Sequence, residues 1–194
     1  MSELDSKKLI IITAPSGSGK SSIVSYLLEK YPFLSFSISA CTRNPRPNEQ
    51  NGVHYYFLSL DSFETKIKQD AFAEYEMVYP GKYYGTLKSE LEKAWAIQKT
   101  PIADIDVKGA LRLIQYYGSN SLSLFIKTPT LEILRTRLLA RGTETAISLE
   151  ERLHKAEEEL SYASYFNHQI INDQLETACK EVEEKILAFL HKTI

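Results

Sequence analysis

Cysteine is almost missing: Cys41 and Cys179 are the only two in 194 residues, and they stand far apart with no CxxC spacing. That excludes a disulfide framework and shows no zinc pattern, so both read as reduced thiols. Long apolar runs are missing too. The longest, Leu9 to Ile12, is far too short to span a bilayer, and the opening Met1-Ser2-Glu3-Leu4-Asp5 lacks the regions of a signal peptide. A cytoplasmic location is the expectation. Nor is there a basic excess: 23 Lys and Arg against 25 Asp and Glu leave a net charge of −2. Such a balance supplies no field for wrapping nucleic acid or docking on an anionic membrane, so neither partner is expected. Any bound anion must be held by local groups.

What is present is ordinary for a globular protein, 43% hydrophobic and 25% charged, in a length that suits one domain with insertions. Lys8 to Thr13 reads as an apolar strand. It runs into a Pro/Ser/Gly turn and then a helix with Ile23, Leu27 and Leu28 on one face. Two more short apolar runs, Ile102 to Val107 and Leu122 to Lys127, read as buried parallel strands. Between them Ala110 to Tyr117 has helical spacing and ends at Gly118. From Ser35 to Gly85 apolar and polar residues alternate and Tyr and Phe are frequent, which predicts a small antiparallel sheet inserted into the core. A short helix near Asp61 interrupts it, with Asp61 and Glu64 as a candidate capping box. Ser148 and Glu151 form a second candidate box, ahead of Leu149, Leu153, Ala156, Leu160 and Ala163 at helical spacing. Gln169 to Ile171 reads as a strand, and a last helix carries Ala178, Val182, Ile186 and Phe189. No repeat or low-complexity tract is visible.

The chemistry-bearing motif is Ala14-Pro15-Ser16-Gly17-Ser18-Gly19-Lys20-Ser21, followed by Ser22. It matches GxxxxGK[ST] with Ala14 at the first glycine, between a strand and a helix. Such a turn aims backbone N–H groups and a helix N-terminus at nucleotide phosphates. Gly17 and Gly19 supply the unusual backbone angles. Lys20 can bridge the β- and γ-phosphates, and the Ser21 hydroxyl can join a Mg²⁺ shell completed by phosphate and water.

The acceptor must be read elsewhere. Arg43 and Arg46 lie in a segment stiffened by Pro45 and Pro47, and two guanidinium forks suit one monophosphate, although a solvated surface pair is the plainer alternative. Glu74 is the candidate base reader: guanine presents N1–H and N2–H₂ side by side to a carboxylate, whereas adenine offers an acceptor at N1. A hydroxyl from Thr86 or Ser39 suits the O6/N7 edge, and Tyr55 and Tyr84 can bond the phosphate while walling the site. Leu131, Leu134 and Leu138 form a helix stripe that leaves Arg137 and Arg141 as a like-charge i, i+4 pair, which an anion would relieve; Arg152 faces them from the next helix.

These segments together resemble the guanylate kinase family over nearly the whole length. The matching stretches are Ala14 to Ser22, Ser37 to Phe57, Glu74 with Tyr84-Gly85-Thr86, Asp104 to Gly109, Arg141 to Glu144 with Arg152-Leu153, and Ile171-Asn172-Asp173. The departures are Ala14 and Asn48, where glycine is usual. The resemblance implies an α/β fold: a P-loop-type parallel sheet flanked by helices (residues 1–37, 87–128 and 156–194), a small mixed or antiparallel β insertion that binds the nucleoside monophosphate (38–86), and a helical lid (129–155). It implies transfer of a phosphate from ATP to GMP, with dGMP as a further acceptor and Mg²⁺ as cofactor. Ser39, Arg43, Arg46, Tyr55, Glu74, Tyr84, Thr86 and Asp106 would hold GMP, and Asn172 would meet the ATP adenine. Lys20, Arg141, Arg152 and Arg137 would stabilise the transferring group. Asp104 and Asp106 are both candidates for orienting metal-bound water or the acceptor. The rivals are another small P-loop kinase, with no base reader, and a non-catalytic protein-binding module on the same fold. His54, Cys41 and Trp95 are read as local packing.

Overall fold

The computed structural model describes residues 7–140 and 146–191. In chain order its elements are β1 (Leu9–Thr13), α1 (Lys20–Lys30), β2 (Leu34–Phe36), β3 (Ser39–Cys41), β4 (Tyr56–Phe57), α2 (Leu60–Lys68), β5 (Phe72–Tyr79) and β6 (Lys82–Leu87). These are followed by α3 (Lys88–Ala96), β7 (Thr100–Asp104), α4 (Val107–Tyr117), β8 (Ser121–Lys127), α5 (Leu131–Leu139), α6 (Ala146–Ser161), β9 (His168–Ile171) and α7 (Leu175–His191).

Five strands form one sheet in the order β2-β7-β1-β8-β9, and every pairing in it is parallel. Parallel strands need crossovers and are covered on both faces, and β1 shows why its sequence is apolar throughout. Ile10 and Ile12 point to the side of α1 and α7, into a core with Ile23, Leu27, Val182 and Ile186. Leu9 and Ile11 point to the other side, where Leu91, Leu113 and Phe125 cover them. These four apolar side chains are fully buried, each stabilising the fold by about 1.5–3 kcal/mol.

The second sheet, β4-β3-β6-β5, pairs β3 with β4 in parallel and β6 with both β3 and β5 antiparallel, so it is mixed. Its apolar face packs Phe63 of α2 on Phe72 (centroids 4.3 Å apart) and on Tyr83 (5.2 Å). Helices α5 and α6 form a third unit around Leu134, Leu138, Leu149 and Ala156. No helix among the described residues is long and apolar enough to cross a membrane.

Local expectations fail where a polar side chain has a better use. The strand expected through Val107 stops at Asp104, because the Asp106 carboxylate accepts from the Gly109 amide at 2.9 Å and starts α4 at Val107. Helix α2 is capped by Ser59, which accepts from the Ser62 amide, rather than by Asp61. Ser148 lies inside α6, two residues past its first residue, and so is not its cap. Trp95 is more than packing: its indole N–H donates to the Lys8 carbonyl at 2.8 Å, tying α3 to the start of β1.

Candidate active site

The parallel register places the C-terminal ends of β1 and β7 side by side, with Ile12 opposite Asp104. Crevices at such strand ends are where open α/β sheets receive ligands. The turn after β1 is held by the Ser18 amide on the Pro15 carbonyl at 3.1 Å, and α1 begins at Lys20. Gly19 is left-handed, with φ 89°, and a Cβ there would stand 2.2 Å from Asn172 Nδ2. Both backbone angle and space therefore demand glycine. Ala14 is not among the positive-φ residues, so the alanine at the usual first glycine carries no strain of that kind. The turn and the start of α1 enclose a cavity of about 330 Å³ lined by Ala14, Pro15, Ser16, Gly17, Gly19, Lys20, Ser21 and Ser22, with Asp106 and Glu159 opposite. Helix amides that lack an intrahelical partner open into such a space and favour an anion there.

Lys20 forms an ion pair with Asp104 and donates to the Ile105 carbonyl at 3.3 Å. Its ammonium is thereby aimed along the cleft between the two strand ends. Asn172, expected at an adenine, is instead 3% exposed beneath the turn, where its Nδ2 donates to the Ser18 carbonyl at 2.7 Å. It does not line the loop cavity. Buried under the turn, it braces the turn.

Across the cleft the second sheet sets three expected residues in a row. Ser39 of β3 lies opposite Thr86 of β6, and Thr86 lies opposite Glu74 of β5. Glu74 is buried and accepts a 2.7 Å hydrogen bond from Thr86 Oγ1. Burial, with a smaller push from the Asp106 charge, raises its carboxyl to about 7 against the pull of the Thr86 bond. A cavity of about 260 Å³ joins Glu74, Ser39, Tyr55, Tyr84, Asp104 and Asp106 to Lys20. Two groups of residues far apart in the chain thus share one space.

A sequence model of the guanylate kinase family matches residues 6–189. The chain belongs to the guanylate kinase family. It is 50% identical to the guanylate kinase of Bacteroides fragilis over 183 residues, covering 94% of this chain and 90% of that one. It is 47% identical to that of Porphyromonas gingivalis, covering 95% and 99%. The fold is similar to the crystal structure of guanylate kinase from Anaplasma phagocytophilum, with a TM-score of 0.76, 24% identity, and coverage of 93% of this chain and 85% of that one.

In this member of the guanylate kinase family the remaining expected residues are placed unevenly. Arg43 stacks its guanidinium 4.9 Å from the Tyr55 ring and gives both arms of its fork to Glu49, at 2.5 and 2.7 Å. That pairing holds the Glu49 carboxyl down at about 2. Arg46 is exposed, its amide bound to Glu49 at 2.8 Å, and neither arginine lines the cavity beside Glu74. Thr86 sits behind Glu74, fully buried. Arg152 reaches from α6 to Ser16 Oγ at 2.9 Å, so α6 touches the glycine turn. Arg137 donates to the Asp173 carbonyl at 2.9 Å. Arg141 lies outside the described residues.

Four residues near the site were missed from sequence. Glu49 orders the arginine segment, Lys155 of α6 lines the cavity beside Glu74, and Glu159 lines the cavity at the glycine turn. Gly109 abuts Glu74. Lys155 and Glu159 are one helical turn apart, 3.8 Å between charged atoms; their i, i+4 spacing was legible, but not the surface they face.

Proposed function

We propose that this chain transfers the γ-phosphoryl group of ATP to GMP, giving ADP and GDP. The observation that carries the reading is the single cavity in which the buried Glu74, in register with Thr86 and Ser39, faces Lys20 of the phosphate turn. An ionised Glu74 accepts from guanine N1–H and N2–H₂, while Tyr55 and Tyr84 wall the site. Arg43 and Arg46 turn their guanidinium groups to the acceptor phosphate, which requires Arg43 to give up part of its pairing with Glu49. The ATP triphosphate lies in the turn, and Lys20 exchanges Asp104 for phosphate oxygens.

A GMP phosphate oxygen attacks the γ-phosphorus in line. One P–O bond forms, the bond to the β-phosphate bridging oxygen breaks, and its electron pair leaves on ADP. The acceptor phosphate, with a second pKa near ~6, is mostly a dianion at neutral pH and needs no general base. Catalysis then rests on positioning and charge neutralisation by Lys20, Arg152, Arg137 and Arg141. Closing α5 and α6 over the turn excludes water that would otherwise hydrolyse ATP.

Among the described residues no group of three or more His, Cys, Asp or Glu side chains is placed to hold a metal alone. Ser21, at the edge of the loop cavity with Asp106 and Glu159 across it, offers hard oxygen donors that fit Mg²⁺ shared with phosphates. Bound there, Mg²⁺ would neutralise phosphate charge. The test is ADP release in a coupled assay with GMP, AMP, UMP and CMP offered separately: turnover with GMP far above the other three supports the reading, and equal turnover defeats it.

A further inference from the structure

Gly109 sits in the first turn of α4, its amide bound to the capping Asp106. It is not among the positive-φ glycines, so its backbone makes no demand for glycine, and alanine is the better helix former. Space makes the demand instead. A Cβ there would stand 2.6 Å from Glu74 Oε2 and 3.1 Å from Glu74 Cδ, inside the ~3.5–4.0 Å of optimal van der Waals contact.

Something must shift, and the surroundings decide what. The α4 backbone is pinned by the Asp106 cap and by Val107, Ala110 and Leu113, which are buried in the core. Strand β5 is tied to β6 through the Glu74–Thr86 pairing. The Glu74 carboxylate is the remaining movable group. It is 6% exposed and hydrogen-bonded through Oε1 to Thr86, so moving Oε2 turns the whole group.

We propose that Gly109 is a specificity-determining positioning residue: its missing side chain is the space in which the Glu74 carboxylate lies, fixed at the angle that meets the acceptor base. This rests on Glu74 as base reader. Other groups around that carboxylate are Thr86, Asp106 and Arg112, and none of them replaces the contact with α4.

The test uses the full chain with Gly109→Ala and with Glu74→Asp, whose acid is one methylene shorter, singly and together, in a double-mutant cycle. ATP and GMP binding are measured by calorimetry, and KM and kcat by coupled assay. Gly109→Ala is expected to raise the Kd and KM for GMP by about tenfold or more, the scale of a misplaced buried hydrogen bond. ATP affinity should be unchanged, and kcat at saturating GMP should stay within about threefold. In the Glu74→Asp background the same alanine should cost less than about twofold, because the shorter acid clears it. GMP binding by Gly109→Ala within twofold of the native chain overturns the proposal. So does an equal loss in both backgrounds, or loss of ATP binding together with GMP binding, which would mark damage to the fold. Failure of the underlying reading is separate: the unaltered chain would then bind no GMP.

Discussion

Replacing Glu74 by Gln should make the ligand-free protein more stable at high pH relative to the native chain, even as it loses its acceptor. The carboxyl moves from its ordinary 4.5 to about 7 on folding. A carboxyl whose folded value is raised is neutral below the unfolded value, and there it costs nothing. As pH rises from about 4.5 towards 7, ionisation is favoured in the unfolded chain first, and stability falls until it levels off above 7. At about 1.4 kcal/mol per pH unit the integrated loss between pH 5 and pH 8 is on the order of 2–3 kcal/mol. Glu74→Gln cannot ionise and keeps an oxygen for the Thr86 hydroxyl, so the native chain should lose that amount relative to the variant across the same interval. In a chain of this size that corresponds to a change of about 5–10 °C in the difference of their Tm values. Any fixed cost of burying the unpaired amide appears at both pH values and cancels. Thermal or urea unfolding at pH 5, 6.5 and 8 measures it. A stability difference that stays flat with pH, or that moves in favour of the native chain as pH rises, would refute the placement of a buried, reluctantly ionised acid at residue 74.

Binding of guanosine, which carries no phosphate to titrate, should weaken about tenfold between pH 8 and pH 6 as Glu74 takes up its proton, and calorimetry with Glu74→Gln as the flat control checks the sign. Lys20→Met should reduce turnover by orders of magnitude while the circular dichroism spectrum and the cooperative unfolding transition are retained; near-normal turnover in the coupled assay would remove Lys20 from the transferring phosphate. Gly19→Ala sets a Cβ 2.2 Å from the Asn172 amide at a φ of 89°, so ATP affinity should fall steeply by calorimetry and stability should drop by about 1–3 kcal/mol. Ile11→Ala, at a fully buried central-strand position, should cost about 2–5 kcal/mol in urea unfolding with little effect on the KM of either nucleotide.

The sheet core was legible because its signals are local. The β1 run, the glycine turn and the α1 stripe each occupy one stretch of chain, and together they locate the proposed phosphate site. Tyr55, Glu74 and Tyr84 could be singled out by residue type, and the alternation from Ser35 to Gly85 pointed to a sheet to carry them. What stayed hidden depends on which surfaces meet. Asn172 reads as a polar residue after a strand, and nothing in that pattern says it is buried against the Ser18 carbonyl. Arg43 reads as a free phosphate fork, yet Glu49 lies six residues away in a looping segment and occupies both arms. Asp106 falls within an apparent strand but acts as a helix cap, a choice made by a single hydrogen bond. Lys155 and Glu159 belong to a plainly amphipathic helix, and only the packing of α6 beside the cleft turns them toward it.

The most direct measurement is a crystal structure with GMP and a non-hydrolysable ATP analogue bound together. The expected result has the triphosphate in the turn from Ala14 to Ser21 with Lys20 on its phosphates, and guanine N1 and N2 within hydrogen-bond distance of the Glu74 carboxylate. A guanine ring lodged away from residue 74, or a triphosphate bound anywhere but that turn, would contradict the account.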